Sequence, residues 1–232
     1  MGTIIGKDVC VARGAIAAVA LLVATNLLVT LVWPAWVVPW NVLVTALLLL
    51  IARLSGLSLA DVGLGGNPGR GLAVGGVAVL VVAAGYGLAL AFPATRAAFV
   101  DTRAAGSVGA LLYAALLRIP FGTVLLEEVA FRGVLPALAG GGWWRGTLVS
   151  SALFGLWHVI PSLGLNSANA AVGAVLGSWG DAGRAALAVL FTFGVGVVLC
   201  WLRRRGGDHL AAPALAHLAT NCLGVVAAWA LL

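Results

Sequence analysis

Charge is scarce in this chain, and lysine is scarcer still. Asp, Glu, Lys and Arg together make up 9% of its 232 residues, Lys7 stands alone against twelve arginines, and 62% of the residues are hydrophobic. A soluble domain of this size could not cover so much apolar surface, so a water-soluble globular class is excluded. A mean hydropathy of +1.13 places the chain among polytopic membrane proteins. The net charge of +6 would suit nucleic acid in a soluble protein. No basic helix or aromatic-interleaved patch is present, however, and nucleic acid is excluded as a partner. Cysteine is equally sparse: Cys10, Cys200 and Cys222 lie in or beside apolar runs without CxxC spacing, which excludes a disulfide framework and a zinc knuckle. There is no HExxH helix, no inverted repeat of the transporter kind, and no linker that would divide the chain. Residues 1–232 therefore read as one membrane-embedded domain. The dominance of arginine over lysine, with 32 glycines and abundant alanine, suits a GC-rich bacterial genome and hence a bacterial plasma membrane.

What is present is a succession of apolar runs, each near the roughly 20 residues that a helix needs to cross a bilayer. The fold class is all-α, a polytopic transmembrane bundle of about seven to eight helices. The runs cover about 14–33, 37–52, 71–92, 107–138, 144–161, 184–202 and 209–232. The first is too long for a signal-peptide core and is expected to stay as an anchor. The fourth is too long for one straight perpendicular span and is interrupted by Pro120, so tilt, a kink or a break is expected there. Ser58-Leu-Ala-Asp61 resembles a helix-start signal, and residues 162–181 could form a short re-entrant or interfacial helix. With a cytoplasmic N-terminus, Lys7, Arg13, Arg53, Arg70, Arg145 and the run Arg203-Arg204-Arg205 all fall inside, which leaves Arg96, Arg103 and Arg184 outside. The arginine run reads as a plain topology signal.

Four charged side chains fall well inside these spans: Arg118, Glu127, Glu128 and Arg132, all on the fourth. Two histidines join them, His158 on the fifth span and His217 on the seventh, where Asn221 follows one turn later. Intramembrane ionisable groups cost at least a few kcal/mol each and are functional-site candidates by default. A single buried histidine is ordinarily a packing residue, but three helices that each carry a desolvated polar group point to one site. Residues four apart share a helix face, so Glu128 can pair with Arg132 while Glu127 points about 100° away. By the same spacing His217 and Asn221 can aim at one point, and all these groups could meet in a cavity open to the cytosol. Arg118 is expected to pair with an acid or to snorkel.

Two chemistries fit. A glutamate beside a histidine can take a proton from water, and His217 with Asn221 can stabilise the oxyanion formed when that water attacks a peptide carbonyl. Alternatively Glu127, His158 and His217 form a two-His, one-carboxylate set able to hold one divalent metal such as zinc. The residues alone leave both open.

Glu127-Glu128-Val-Ala-Phe-Arg132, Phe154-Gly-Leu-Trp-His158 and His217-Leu-Ala-Thr-Asn221 resemble, in order, the motifs EExxxR, FxxxH and HxxxN of the CPBP (Abi) family of intramembrane proteases. That family includes the CAAX prenyl endopeptidases related to the Ras-converting enzyme. Leu57-Ser-Leu-Ala-Asp-Val-Gly-Leu64 also looks like a linker common in its bacterial members. The resemblance places the motif-bearing core at about residues 107–232. It implies an endopeptidase in which Glu127 and His158 activate water, His217 and Asn221 form the oxyanion site, and Glu128 and Arg132 support them. Both a metal-dependent and a metal-free mechanism are associated with the family. The expected partners are the lipid bilayer and a membrane-associated protein or peptide substrate. The alternative is a non-catalytic scaffold or bacteriocin-immunity-type protein that uses the same cavity for binding.

Overall fold

A computed structural model describes residues 2–163 and 179–232. Among the described residues seven main helices follow one another: α1 (Gly2–Leu27), α2 (Val37–Leu54), α3 (Gly69–Ala91), α4 (Val108–Ala139), α5 (Trp143–Trp157), α6 (Gly180–Arg205) and α7 (Ala211–Ala230). Six have the length and apolar character to cross a membrane. The exception is α5, the fifth of the expected spans. Its 15 residues rise only about 22 Å, short of a hydrocarbon core of roughly 30 Å. Pro161 supplies the reason, because it has no N–H to give the Trp157 carbonyl. That carbonyl instead accepts the Asn26 side-chain amide at 2.8 Å. The expected re-entrant segment at 162–181 lies almost wholly outside the described residues.

The core is built from stripes of α1, α2 and α5 packed on α4. Leu22 of α1, Val44 and Leu48 of α2, and Phe154 of α5 surround Leu126, Ala130 and Phe131. Outward faces stay apolar and uncovered, with Ile16, Leu80 and Phe191 each about 70% exposed, as lipid-facing side chains should be. α6 runs along α5 and α7 along α3. The α5–α6 contact depends on Gly155, where an added Cβ would come within 2.7 Å of the Val189 carbonyl.

α4 does not break at Pro120. It stays continuous by winding more loosely, with π-helical stretches at Ala114–Arg118, Pro120–Val124 and Val129–Val134. Wider turns shift backbone pairing from i→i+4 to i→i+5 and hand some carbonyls to side chains. The Asn41 amide donates to the Gly122 carbonyl at 2.6 Å, and the Ser150 hydroxyl donates to that of Phe131.

One end of the bundle is closed by arginine. Arg203 donates to the backbone carbonyls of Arg132, Asp61 (2.8 Å) and Asp208 (3.1 Å), joining α4, the α2–α3 connection and the α6–α7 turn. The run Arg203–Arg205 is thus more than a topology signal. Arg204 lies 5.3 Å from the Trp143 ring and Arg205 5.1 Å from that of Trp201. Ser58 and Asp61 do form reciprocal capping bonds, but they close a turn over residues 59–63 and no helix follows. That turn inserts Val62 into the core. Gly63, at φ +77°, and Gly133, whose Cβ would meet the Val62 carbonyl at 2.9 Å, permit the approach.

Candidate active site

Glu127 and Glu128 lie on the central part of α4, 6% and 2% exposed. Glu127 faces a cavity of about 770 Å³, together with His158, Asn221, Asn26, Asn41 and Arg118. Its Oε1 accepts the Trp157 indole N–H at 3.0 Å, and its Oε2 has no hydrogen-bond donor among the described residues. His158 sits where α5 ends. Its Nδ1 lies 2.8 Å from the Phe154 carbonyl, an acceptor, so Nδ1 carries the proton and Nε2 is left as an acceptor.

His217 is not among the residues lining the cavity. It stands behind the paired glutamates, with Nδ1 2.7 Å from Glu128 Oε1 and Nε2 3.7 Å from Glu127 Oε2. The structure therefore separates His217 from Asn221, although one helical turn joins them, because Glu128 holds the imidazole. Glu128 also meets Arg132 at 3.4 Å, as the i,i+4 spacing predicts, but it does not simply turn away from the site. It links an arginine on its own helix to a histidine on α7. The Arg132 guanidinium is wholly buried, with Cζ 3.9 Å above the Phe154 ring. The same ring packs 4.6 Å from His158, so Phe154 joins the ion pair to the cavity wall.

Among the described residues, no three His, Cys, Asp or Glu side chains come together to hold one ion. The set Glu127, His158 and His217 read from the sequence is not gathered around one point in this arrangement, since His158 lines the cavity while His217 lies behind the paired glutamates. Arg118 lines the cavity and has no acidic partner among the described residues, so the expected ion pair is not formed. Trp157, Asn26 and Asn41 were missed in the sequence. Each is a polar group within an apolar helix, a signal that was there to read.

The cavity opens past Pro34, Pro161, Arg103 and Arg184, at the end of the bundle opposite the Arg203 cluster. Arg103 pairs there with Asp101, and Arg184 with Asp181. The Arg103 side chain holds the Asp101 carboxyl below its ordinary pKa, first through their hydrogen bond. A cavity open to the cytosol and an arginine-rich cytoplasmic face cannot both hold, because the structure puts them at opposite ends.

Residues 109–223 match the family model described as Rce1-like, type II CAAX prenyl endopeptidase. No curated protein and no solved structure matches the chain. The match begins at the first turn of α4 and ends beyond Asn221 on α7, so it contains all three motifs together with Trp157 and Arg118, but not the cavity residues Asn26 and Asn41. Six apolar membrane-length helices agree with an integral membrane protein. Through residues 109–223 the chain belongs to the Rce1-like family of type II CAAX prenyl endopeptidases, and its kind of function is that of an intramembrane protease.

Proposed function

We propose that the protein hydrolyses a peptide bond of a membrane-associated protein or peptide, using water activated by Glu127. The supporting observation is that the Glu127 side chain reaches a cavity large enough for a peptide segment, with Oε1 fixed by Trp157 and Oε2 facing His217 Nε2 at 3.7 Å without a hydrogen-bond donor among the described residues. A carboxylate held in this way at a cavity wall can accept a proton from water. The water oxygen bonds to the carbonyl carbon as its proton passes to Glu127. When the C–N bond breaks, that proton is delivered to the departing amine nitrogen. His158 Nε2 accepts a hydrogen bond from the attacking water and orients it. The Asn221 side-chain amide donates to the oxyanion. His217 and Glu128 act through Glu127 as positioning residues, and no step is routed through a metal.

The excess of arginine at the closed end supports a cytoplasmic location for that end, with the cavity mouth on the other side of the membrane. A lysine-poor composition rich in alanine and glycine supports a bacterial plasma membrane. The test is Glu127→Gln in proteoliposomes supplied with a membrane-delivered peptide library. A loss of cleavage of at least about 100-fold is expected. Equal cleavage by both forms would overturn the assignment.

A further inference from the structure

We propose that Asn26 of α1 is a positioning residue for hydrolysis: it holds the Trp157 backbone and thereby aims the Trp157 indole at Glu127. This rests on the peptidase reading and brings into the site a helix that lies outside residues 109–223. The hydrogen bond that holds Glu127 comes from the Trp157 indole, at 3.0 Å. Trp157 is the last residue of α5, and the final carbonyls of a helix have no partner within it. Pro161 stands four residues on and has no N–H to offer. The Asn26 side-chain amide offers one instead, at 2.8 Å across from α1.

The amide is itself oriented. Its oxygen accepts the Thr30 hydroxyl at 3.2 Å, which leaves the NH2 group turned toward α5. Asn26 is 7% exposed within an apolar helix, where an amide without partners would be costly, and it lines the same cavity as Trp157 and Glu127. Three bonds thus run in series: Thr30 to Asn26, Asn26 to the Trp157 carbonyl, and the Trp157 indole to Glu127. His158, next in the chain, is tied separately. Its backbone N–H donates to the Gly155 carbonyl at 3.1 Å, and its Nδ1 lies 2.8 Å from that of Phe154. Phe131 meets the indole edge-on with centroids 5.7 Å apart, a contact that holds the ring without directing its N–H. Loss of the Asn26 bond therefore loosens the indole, and with it the proton acceptor, more than it loosens His158. A reacting group displaced by about 1 Å can lose about 100-fold in rate, so a brace remote from the scissile bond acts on kcat.

The test uses the full chain in nanodiscs, with isotope-labelled tryptophan and the Trp157 indole N–H resonance identified by its loss in Trp157→Phe. Glu127→Gln should move that resonance, because a neutral acceptor takes the bond more weakly, and Asn26→Leu should move it in the same direction. Pro161→Ala gives the Trp157 carbonyl an N–H from its own chain, so in that background Asn26→Leu should leave the resonance in place. For a membrane-delivered peptide that the parent cleaves, Asn26→Leu should lower kcat about tenfold with KM within about twofold. With Pro161→Ala or Trp157→Phe already present, the same substitution should cost less than about twofold in kcat. A role in stability alone would give the same loss in every background. Thr30→Val, which unfastens the amide without removing it, is the milder second variant and should move the resonance and kcat in the same directions by less. A resonance that neither Asn26→Leu nor Thr30→Val moves, a kcat loss as large with Pro161→Ala as without it, or a change confined to KM overturns the proposal. The expected resonance shifts in a protein that cleaves no peptide would overturn the peptidase reading and leave the brace standing, whereas cleavage with an unmoved resonance would remove the brace alone.

Discussion

The two ends of the bundle use arginine in opposite ways. At the closed end the Arg203 guanidinium is shared among three backbone carbonyls, and glycines bring the segments into contact. At the open end, Arg118 and Glu127 line a cavity of about 770 Å³. Hydrogen bonds to backbone carbonyls fasten the first region, and a cavity lined by charged side chains leaves the second ready for a ligand. Stability and function are thus located at different depths of the same helices.

The largest expected effect concerns which end faces which compartment. In a chain with Cys10, Cys200 and Cys222 replaced by alanine, a membrane-impermeant maleimide added to intact cells should label Ala105→Cys at the mouth and leave Arg145→Cys unlabelled. The reverse pattern would put the cavity in the cytoplasm. Next comes Glu128→Ala, which strands the fully buried Arg132 and should cost about 3–5 kcal/mol of unfolding stability, measured by denaturation in detergent. Under about 1 kcal/mol would mean that the Phe154 ring, not the carboxylate, holds the guanidinium. Arg203→Met should cost about 1–3 kcal/mol by leaving the three carbonyls without their donor, while KM for any cleaved peptide stays the same. A change in KM would show that the ends are coupled. The smallest effect belongs to Asp101→Asn. Since Arg103 depresses the Asp101 pKa, the pair's contribution is present above the ordinary value of about 3.9 and is lost as pH falls through the depressed one. Arg103 is more than half exposed, so the change should stay below about 1 kcal/mol, read as a small loss of the parent's stability advantage on acidification.

Much of this was legible in the sequence because membrane helices are punctuated by length and charge. The apolar runs, the Glu128–Arg132 pair and the motif positions follow from helical periodicity and the cost of buried charge. The links that cross between helices could not be read that way. Nothing in the spacing says that Glu128 reaches His217 on α7, or that Trp157 on α5 donates to Glu127. Both bonds depend on how helices rotate against one another, and the π-helical winding of α4 alters that rotation in a manner no i,i+4 rule anticipates. α5 came out shorter than its apolar run because Pro161 and Asn26 settle a carbonyl that hydropathy does not see.

The Arg203 clamp also has a meaning in time. Its three acceptors lie in segments made well before α6 and just after it, at residues 61, 132 and 208. The carbonyls of Asp61 and Arg132 therefore wait, without this donor, until α6 has entered the membrane. Contacts of such long sequence separation form late and slowly. The clamp therefore closes last: a chain made only as far as α5 holds the paired glutamates but not the latch that fixes their helix.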